Sequence, residues 1–302
     1  MRAAALMLSA LATTATAGDP AAPDIQIEGQ IEEFAPGIIS SKYADVRLTI
    51  SPDGRTALWF SRNRPGGPGG YDIWISRRGA GWSLPVPVPF DSASRDFDPA
   101  FSRDGRFVYF ASDRPGGAGG DDLWRVAVTR SGFGVAEHLS GEINTPRNEW
   151  APMLAPDGRT LLFSSDGHGG AGRMDLFTAR RQGKHFGAVR GLPGRINTPA
   201  DEFDATFLAD GRTILFSRSP DLAIDEVRLF VSSRVDGMYT AGNELFAEIN
   251  TPGSSTYAPM LDWSDTDHVT FTTRRPADNP RGADLYRATI RVRGGRRQNG
   301  ER

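Results

Sequence analysis

The chain has 302 residues, with 35 Lys and Arg against 37 Asp and Glu, so its formal net charge at pH 7 is −2. This balance argues against nucleic-acid binding, which normally requires a basic excess on one face. The absence of cysteine excludes a disulfide framework, and 35 glycines with 21 prolines indicate a fold with many turns.

The first segment in chain order, MRAAALMLSALATTATA, is typical of a secretory signal peptide. Arg2 is followed by an apolar run that is too short to span a membrane, and Ala15 to Ala17 form a small-x-small cleavage site. We therefore predict a cleaved signal over residues 1–17, one domain over 18–290 and a basic disordered tail over 291–302. The expected location is the periplasm or the cell exterior, with no transmembrane segment.

A repeat of roughly 50 residues occupies the rest of the chain. Turns of the Asp-Gly-Arg type begin at Ser51, Ser102, Ala155 and Leu208, and a degraded copy, DWSDTDH, begins at Asp262. Each turn is followed by a strand that ends in phenylalanine, beginning with Phe60, and then by a further strand. Three of the units close on the turn Ile-Asn-Thr-Pro. Four short strands per repeat are typical of a β-propeller blade.

Five copies predict an all-β, five-bladed propeller of four-stranded blades, with a six-bladed ring as the alternative. Residues 31–48 parallel residues 245–261, so the N-terminal segment has the sequence of an outer strand that ends a unit. We predict that this strand completes the last blade. Such a closure would remove the exposed strand edges of an open ring.

Glycine-rich loops begin at Arg64 (RPGGPGG) and Arg114 (RPGGAGG). A phosphate-binding loop opens a helix, whereas these loops join two strands and recur from unit to unit. We therefore interpret them as long hairpin loops. Structural roles in these loops are predicted for Arg64 and Arg114, and for the aspartates that begin the next strand, Asp72, Asp122, Asp175 and Asp284.

The run DFDPAFSRDGRFVYFASDRPGG from Asp96, with counterparts at Asp45, Glu149 and Glu202, resembles the TolB-like, WD-like propeller repeats of the bacterial periplasm. The resemblance extends from Ile31 to Ala288. It implies a propeller fold and a binding function. The separate N-terminal α/β domain and the sixth blade of TolB-type proteins have no counterpart in this sequence, so a specific TolB role is not expected.

Carboxylates recur where each inner strand begins, and a residue that follows the repeat is expected to do the same local task in each unit. Asp98 and Asp204 break the repeat, as Arg47 does at the same position. His168 also breaks the repeat, in the glycine-rich loop of its unit, where the histidine replaces Arg-Pro. We predict a ligand or partner rim, and its residues are Arg47, Asp45, Asp96, Asp98, Glu149, His168, Glu202 and Asp204.

The predicted function is a non-catalytic module that binds a protein partner or a small or oligosaccharide ligand at this rim. The four histidines lack the spacing of a zinc site, so neither a metal nor a cofactor is expected. The alternative is a glycoside hydrolase of the five-bladed type, with Asp45, Asp98 and Glu202 as its acids. Paired carboxylates around a channel can hydrolyse glycosidic bonds.

Overall fold

A computed structural model of the chain describes residues 24–62, 64–139, 142–275 and 282–293. The predicted signal peptide lies outside these residues, as do residues 294–302 of the predicted tail. Residues 291–293 belong to the last strand, because they pair with residues 24–26. Strand pairing therefore continues for three residues past position 290.

The described residues form β-strands joined by turns and loops. In chain order the strands are β1 (Asp24–Glu33), β2 (Ala44–Ile50), β3 (Thr56–Arg62), β4 (Tyr71–Arg77), β5 (Val86–Pro87), β6 (Asp96–Phe101), β7 (Phe107–Ser112), β8 (Asp122–Thr129), β9 (Gly132–His138), β10 (Glu149–Leu154), β11 (Thr160–Ser165), β12 (Asp175–Gln182), β13 (His185–Gly191), β14 (Asp201–Phe207), β15 (Thr213–Ser219), β16 (Arg228–Val235), β17 (Met238–Tyr239), β18 (Asn243–Glu244), β19 (Ser255–Leu261), β20 (His268–Arg274) and β21 (Asp284–Arg293).

These strands form five antiparallel sheets, which are the blades of a propeller and confirm the predicted fold. The blades are β2-β3-β4-β5, β6-β7-β8-β9, β10-β11-β12-β13, β14-β15-β16 with β17 and β18, and β19-β20-β21-β1. The inner strands pack in the cyclic order β2, β6, β10, β14, β19 and again β2. The ring therefore closes with five blades, and the six-bladed alternative is wrong.

The N-terminal strand closes the ring, as predicted. β1 pairs antiparallel with β21, from Asp24 opposite Arg293 to Glu33 opposite Tyr286. β21 would otherwise present an unpaired edge. The blade that closes the ring is thus assembled from both ends of the domain.

The Ile-Asn-Thr-Pro turns brace each blade against the loop that leads to the next one. The side chain of Asn197 accepts a hydrogen bond from Leu176 N at 2.9 Å and donates to Leu176 O at 3.0 Å. Asn144 and Asn250 make the same pair of bonds to Leu123 and Leu229. Each of these leucines lies one residue beyond the last pair between the third strand and the outer strand. Because its backbone is satisfied in this way, the loop entering the next inner strand is held in place.

The glycine-rich loops pack against the following blade. A Cβ on Gly119 would lie 2.4 Å from the Cα and carbonyl oxygen of Pro146, and one on Gly172 would lie 2.0 Å from Ala200 O. These glycines therefore allow two backbones to approach closely. The structure accounts for them without a phosphate ligand.

The strand pairing in the structure corrects the position that the repeat assigned to Phe60. Trp59, and not Phe60, lies opposite the aromatic residue of the next strand, Trp74. Phe110 opposite Trp124 has the same relation in the second blade. Phe60 instead packs on Tyr71 and Phe97 of the channel mouth.

Candidate functional site at the channel mouth

Every inner strand contains a β-bulge at the same place. The ladder shifts register there, for example between Val46 and Thr49 of β2. A non-glycine residue at each bulge has a positive φ of 48° to 54°, and these residues are Arg47, Asp98, Ala151, Asp204 and Ala258. This conformation is costly for a residue with a Cβ and marks a position that the surrounding structure enforces.

The bulge brings three charged side chains from different blades together at the channel. Arg47 Nη2 donates a hydrogen bond to Ala151 O at 3.2 Å, and Arg47 Nη1 lies 4.0 Å from Asp204 Oδ1. The amide of Ala151 donates to Asp98 Oδ2 at 3.1 Å. Arg47 is fully buried, whereas the side chain of Asp204 is 10% exposed. We call Arg47, Asp98 and Asp204 the floor triad.

Burial raises the pKa of both carboxyl groups of the floor triad. The pKa of Asp98 is raised to about 8, first by desolvation and then by repulsion from Asp204, against the opposing charge of Arg47. The pKa of Asp204 is raised by burial to about 6, opposed by Arg47 and Arg62. Both carboxyls therefore hold a proton to a higher pH than an exposed aspartate does.

A bowl of about 460 Å³ opens above the floor triad, with Asp98 and Asp204 in its lining. Its aromatic wall residues are Phe60, Tyr71, Phe97, Trp150, Phe203 and Tyr257. Neighbouring rings contact one another, with centroids of Tyr71 and Phe97 5.9 Å apart. The loop after β15 adds Leu222 and Ile224, and Ile224 is 81% exposed. The bowl is thus concave, with aromatic and aliphatic residues in its walls and two carboxyls at its base. Charged residues also line it, and these are Arg62, Arg95, Asp121, Asp225 and Arg274.

The far end of the channel is covered by Trp263. Its indole Nε1 donates to the carbonyl oxygen of Phe101 at 2.9 Å. Trp263 lies in the degraded turn of the closing blade, which does not adjoin the blade that contains Phe101. The indole therefore reaches across the end of the channel opposite the bowl.

The repeated carboxylates of the predicted rim are committed to structural hydrogen bonds. Each is completely buried and accepts from the backbone amide and hydroxyl of a Ser or Thr four residues earlier. The four pairs are Asp45 with Ser41, Asp96 with Ser92, Glu149 with Thr145 and Glu202 with Thr198. We call these pairs the loop clasps, and they remove the four acids from the set that a ligand could touch.

Arginines complete the loop clasps. Arg64 lies 3.4 Å from Asp45, and Arg114 forms an ion pair with Asp96. Arg114 Nη2 also donates to Phe90 O at 3.1 Å. In the third blade His168 takes this second role, with Nε2 2.8 Å from Ile143 O. His168 therefore replaces a structural arginine and does not face the bowl.

The aspartates that begin the third strands cap the glycine-rich loops. Asp72 accepts from Gly69 N at 2.6 Å, Asp122 from Ala118 N at 2.6 Å and Asp175 from Gly172 N at 3.1 Å. Asp284 begins β21 in the same position. Residues 276–281 of the preceding loop lie outside the described part of the chain.

Of the eight predicted rim residues, the structure thus brings only Arg47, Asp98 and Asp204 together at the channel. The aromatic wall was missed by sequence reasoning, although a signal for it was present. The residue just before the bulge is aromatic in four of the five units, as Phe97, Trp150, Phe203 and Tyr257. Without knowledge of the bulge, this pattern is indistinguishable from ordinary core packing.

The described residues offer neither a metal site nor a membrane-spanning helix. They contain no group of three or more His, Asp or Glu side chains placed to hold a metal ion. No helix in the same part of the chain is long and apolar enough to cross a membrane.

Comparison with protein families and with curated proteins finds no match to this sequence. Solved structures share its fold. TolB from Acinetobacter baumannii is 13% identical with a TM-score of 0.50, over 82% of this chain and 55% of that one, so this chain spans little more than half of its length. An α-L-arabinofuranosidase from Lactobacillus brevis is 13% identical with a TM-score of 0.54, over 85% of this chain and 92% of that one. The chain therefore has the β-propeller fold that TolB and a glycosidase share.

Proposed function

We propose that this chain is a non-catalytic binding propeller that holds a small molecule, or one end of an oligosaccharide, in the bowl. The observation that supports this proposal is the aromatic-walled cavity above Asp98 and Asp204. Concave, mostly apolar sites with a few convergent polar groups are typical of small-ligand binding. A folded protein partner would be expected to use a flatter and larger surface.

The floor of the bowl suits a ligand that carries hydroxyl groups. A protonated Asp98 can donate a hydrogen bond, and an ionised Asp204 can accept one. A hydroxyl group can do both, so the two carboxyls together can hold adjacent hydroxyls of a ring. The flat aromatic walls offer a surface for the apolar face of a sugar ring. On the strength of residues 1–17, we place this activity in the periplasm or outside the cell.

Calorimetric titration of the purified protein with a panel of neutral and acidic mono- and trisaccharides would test the proposal. Asp204→Asn keeps the shape of the side chain and is expected to weaken binding at least about tenfold, or about 1.4 kcal/mol. Glu137→Gln is the matched control, because Glu137 is exposed and lies on the outer strand β9. Binding that survives both Asp204→Asn and Tyr257→Ala would place the ligand elsewhere.

A second candidate is acid–base hydrolysis in the same bowl. The specific observation is that Asp98 holds its proton to a higher pH than Asp204, so that a proton donor and a base coexist at one pH. This pair differs from the predicted acids, because Asp45 and Glu202 are held in the loop clasps.

Reducing-sugar release from arabino- and xylo-oligosaccharides separates the two candidates. Turnover that disappears in Asp98→Asn would favour the hydrolase. Ligand binding without turnover in the unmodified protein would favour the binding module.

A further inference from the structure

The rim of the propeller divides into a neutralised part and a cationic part. On the second and third blades the arginines near the bowl have acidic partners. The nitrogen–oxygen distances are 3.2 Å for Arg95–Asp113, 2.7 Å for Arg95–Asp121, 3.6 Å for Arg147–Asp166 and 2.6 Å for Arg173–Asp201. The positive charge of these arginines is therefore largely neutralised by carboxylates of the protein itself.

The first and last blades differ. Arg62 ends β3 and Arg274 ends β20, and both side chains are exposed. In the ladder they occupy the place that Asp113 and Asp166 have in the second and third blades. Among the described residues, no carboxylate oxygen lies within 4.0 Å of a nitrogen of either guanidinium. Arg62 instead stacks over the Tyr71 ring at 4.9 Å.

A groove leads outward from the bowl past these two arginines. It has a volume of about 660 Å³ and shares Arg62, Tyr257 and Arg274 with the lining of the bowl. Lys42 adds a third cation, and none of the described residues that line the groove is acidic. A ligand that extends from the bowl along this groove therefore passes three positive charges.

We propose that the bowl and groove bind an acidic oligosaccharide whose sugar rings carry carboxylates, that is, an oligouronate. This inference rests on the proposed function, because it assumes that the bowl is the ligand site. A guanidinium binds a carboxylate through two parallel hydrogen bonds, and Arg62 and Arg274 have no such partner among the described residues. The aromatic wall takes the ring, and Asp98 and Asp204 of the floor triad take the hydroxyls.

Titration with trigalacturonate and with its fully methyl-esterified form tests the inference, since esterification removes the charge of each carboxylate and leaves the sugar rings and their hydroxyls unchanged. We expect the free acid to bind at least about tenfold more tightly at low salt and to lose this advantage as salt is added. The double variant Arg62→Gln/Arg274→Gln is expected to lose most of this preference, since it leaves only Lys42 of the three cations in place. Its control is Arg55→Gln/Arg159→Gln, which removes two exposed arginines from the Asp-Gly-Arg turns on the opposite face.

The other outcomes separate the two proposals. Equal binding of acid and ester, weakened by Asp204→Asn but not by the arginine changes, would overturn the preference for acidic sugars and leave the bowl as the ligand site. No binding of any saccharide would overturn both proposals. Tight binding of an oligoglutamate peptide in place of trigalacturonate would show that the cationic groove serves an acidic peptide, which contradicts the carbohydrate assignment.

Discussion

At the residue scale, the bulge position of the inner strands decides where chemistry can occur. Alanine occupies it in two blades, and Arg47, Asp98 and Asp204 occupy it in the other three. The backbone conformation is the same in all five, so the fold does not require a charge there. The charges instead compensate one another, since Arg47 lowers the pKa of both carboxyls while burial raises it.

The raised pKa of Asp98 predicts a pH-dependent stability. In the unfolded chain this carboxyl titrates near 3.8, whereas in the folded protein it titrates near 8. The folded state binds the extra proton between these values, so the contribution of Asp98 to stability falls as pH rises from about 4 to about 8. Asp98→Asn removes this loss and can still accept from Ala151 N.

Urea denaturation at several pH values would measure the effect. The variant is expected to gain stability over the parent by up to about 1.4 kcal/mol per pH unit within that window, and nothing further above it. Parallel stability curves for the two proteins would show that Asp98 ionises normally.

The close approach of Gly119 to Pro146 makes a second prediction at this scale. Gly119→Ala places a Cβ 2.4 Å from the backbone of the next blade, so the two loops must separate. We expect a loss of about 1–3 kcal/mol in the free energy of unfolding. Gly70→Ala is the control, since a Cβ on Gly70 meets nothing within 4 Å. Equal stability of the two variants would disprove the packing role.

At the scale of elements, the turn between β19 and β20 differs in sequence from the other four turns because it makes a different tertiary contact. The Asp-Gly-Arg turns are tight connections between adjacent strands. The fifth turn carries Trp263, whose indole crosses the channel to Phe101. The degraded sequence of this copy is therefore explained by a tertiary contact that no other copy makes.

Replacement of Trp263 tests this account. Trp263→Ala is expected to lose about 3–5 kcal/mol of stability, because it leaves a cavity across the channel end. Trp263→Phe keeps most of the ring and is expected to lose only about 1 kcal/mol, for the missing hydrogen bond. Chemical denaturation followed by circular dichroism measures both. A Trp263→Ala protein as stable as the parent would show that the indole contributes no packing.

At the scale of the whole molecule, stability depends on the joining of the two ends. A chain that begins at Phe34 lacks β1 and exposes the edge of β21, whereas a chain that begins at Asp24 keeps the complete ring. We expect the shorter chain to melt several degrees lower and to aggregate, because open edges pair with other chains. Thermal scans of the two chains at the same concentration provide the comparison.

Cooperativity gives a further readout of the same change. In a stacked repeat each unit contacts only its neighbours, and closure couples the first unit to the last. Fluorescence and circular dichroism transitions should coincide for the chain from Asp24 and separate for the chain from Phe34. Coincident transitions at the same midpoint in both chains would contradict a stabilising closure.

The sequence by itself determined the architecture, because the repeat, its turns and the N-terminal outer strand are local patterns. Their residue types can be recognised without knowing which distant segments they contact. It also singled out Asp98, Asp204 and Arg47, since each breaks a register that is visible without coordinates. Only the tertiary structure decided which acids are available. Asp45, Asp96, Glu149 and Glu202 look like a rim in the sequence, but their hydrogen bonds to residues four positions earlier bury them. The bowl likewise depends on a bulge that turns neighbouring side chains from separate blades toward one axis. The aromatic residues before the bulge are visible in the sequence, but their convergence is not, because it joins distant segments.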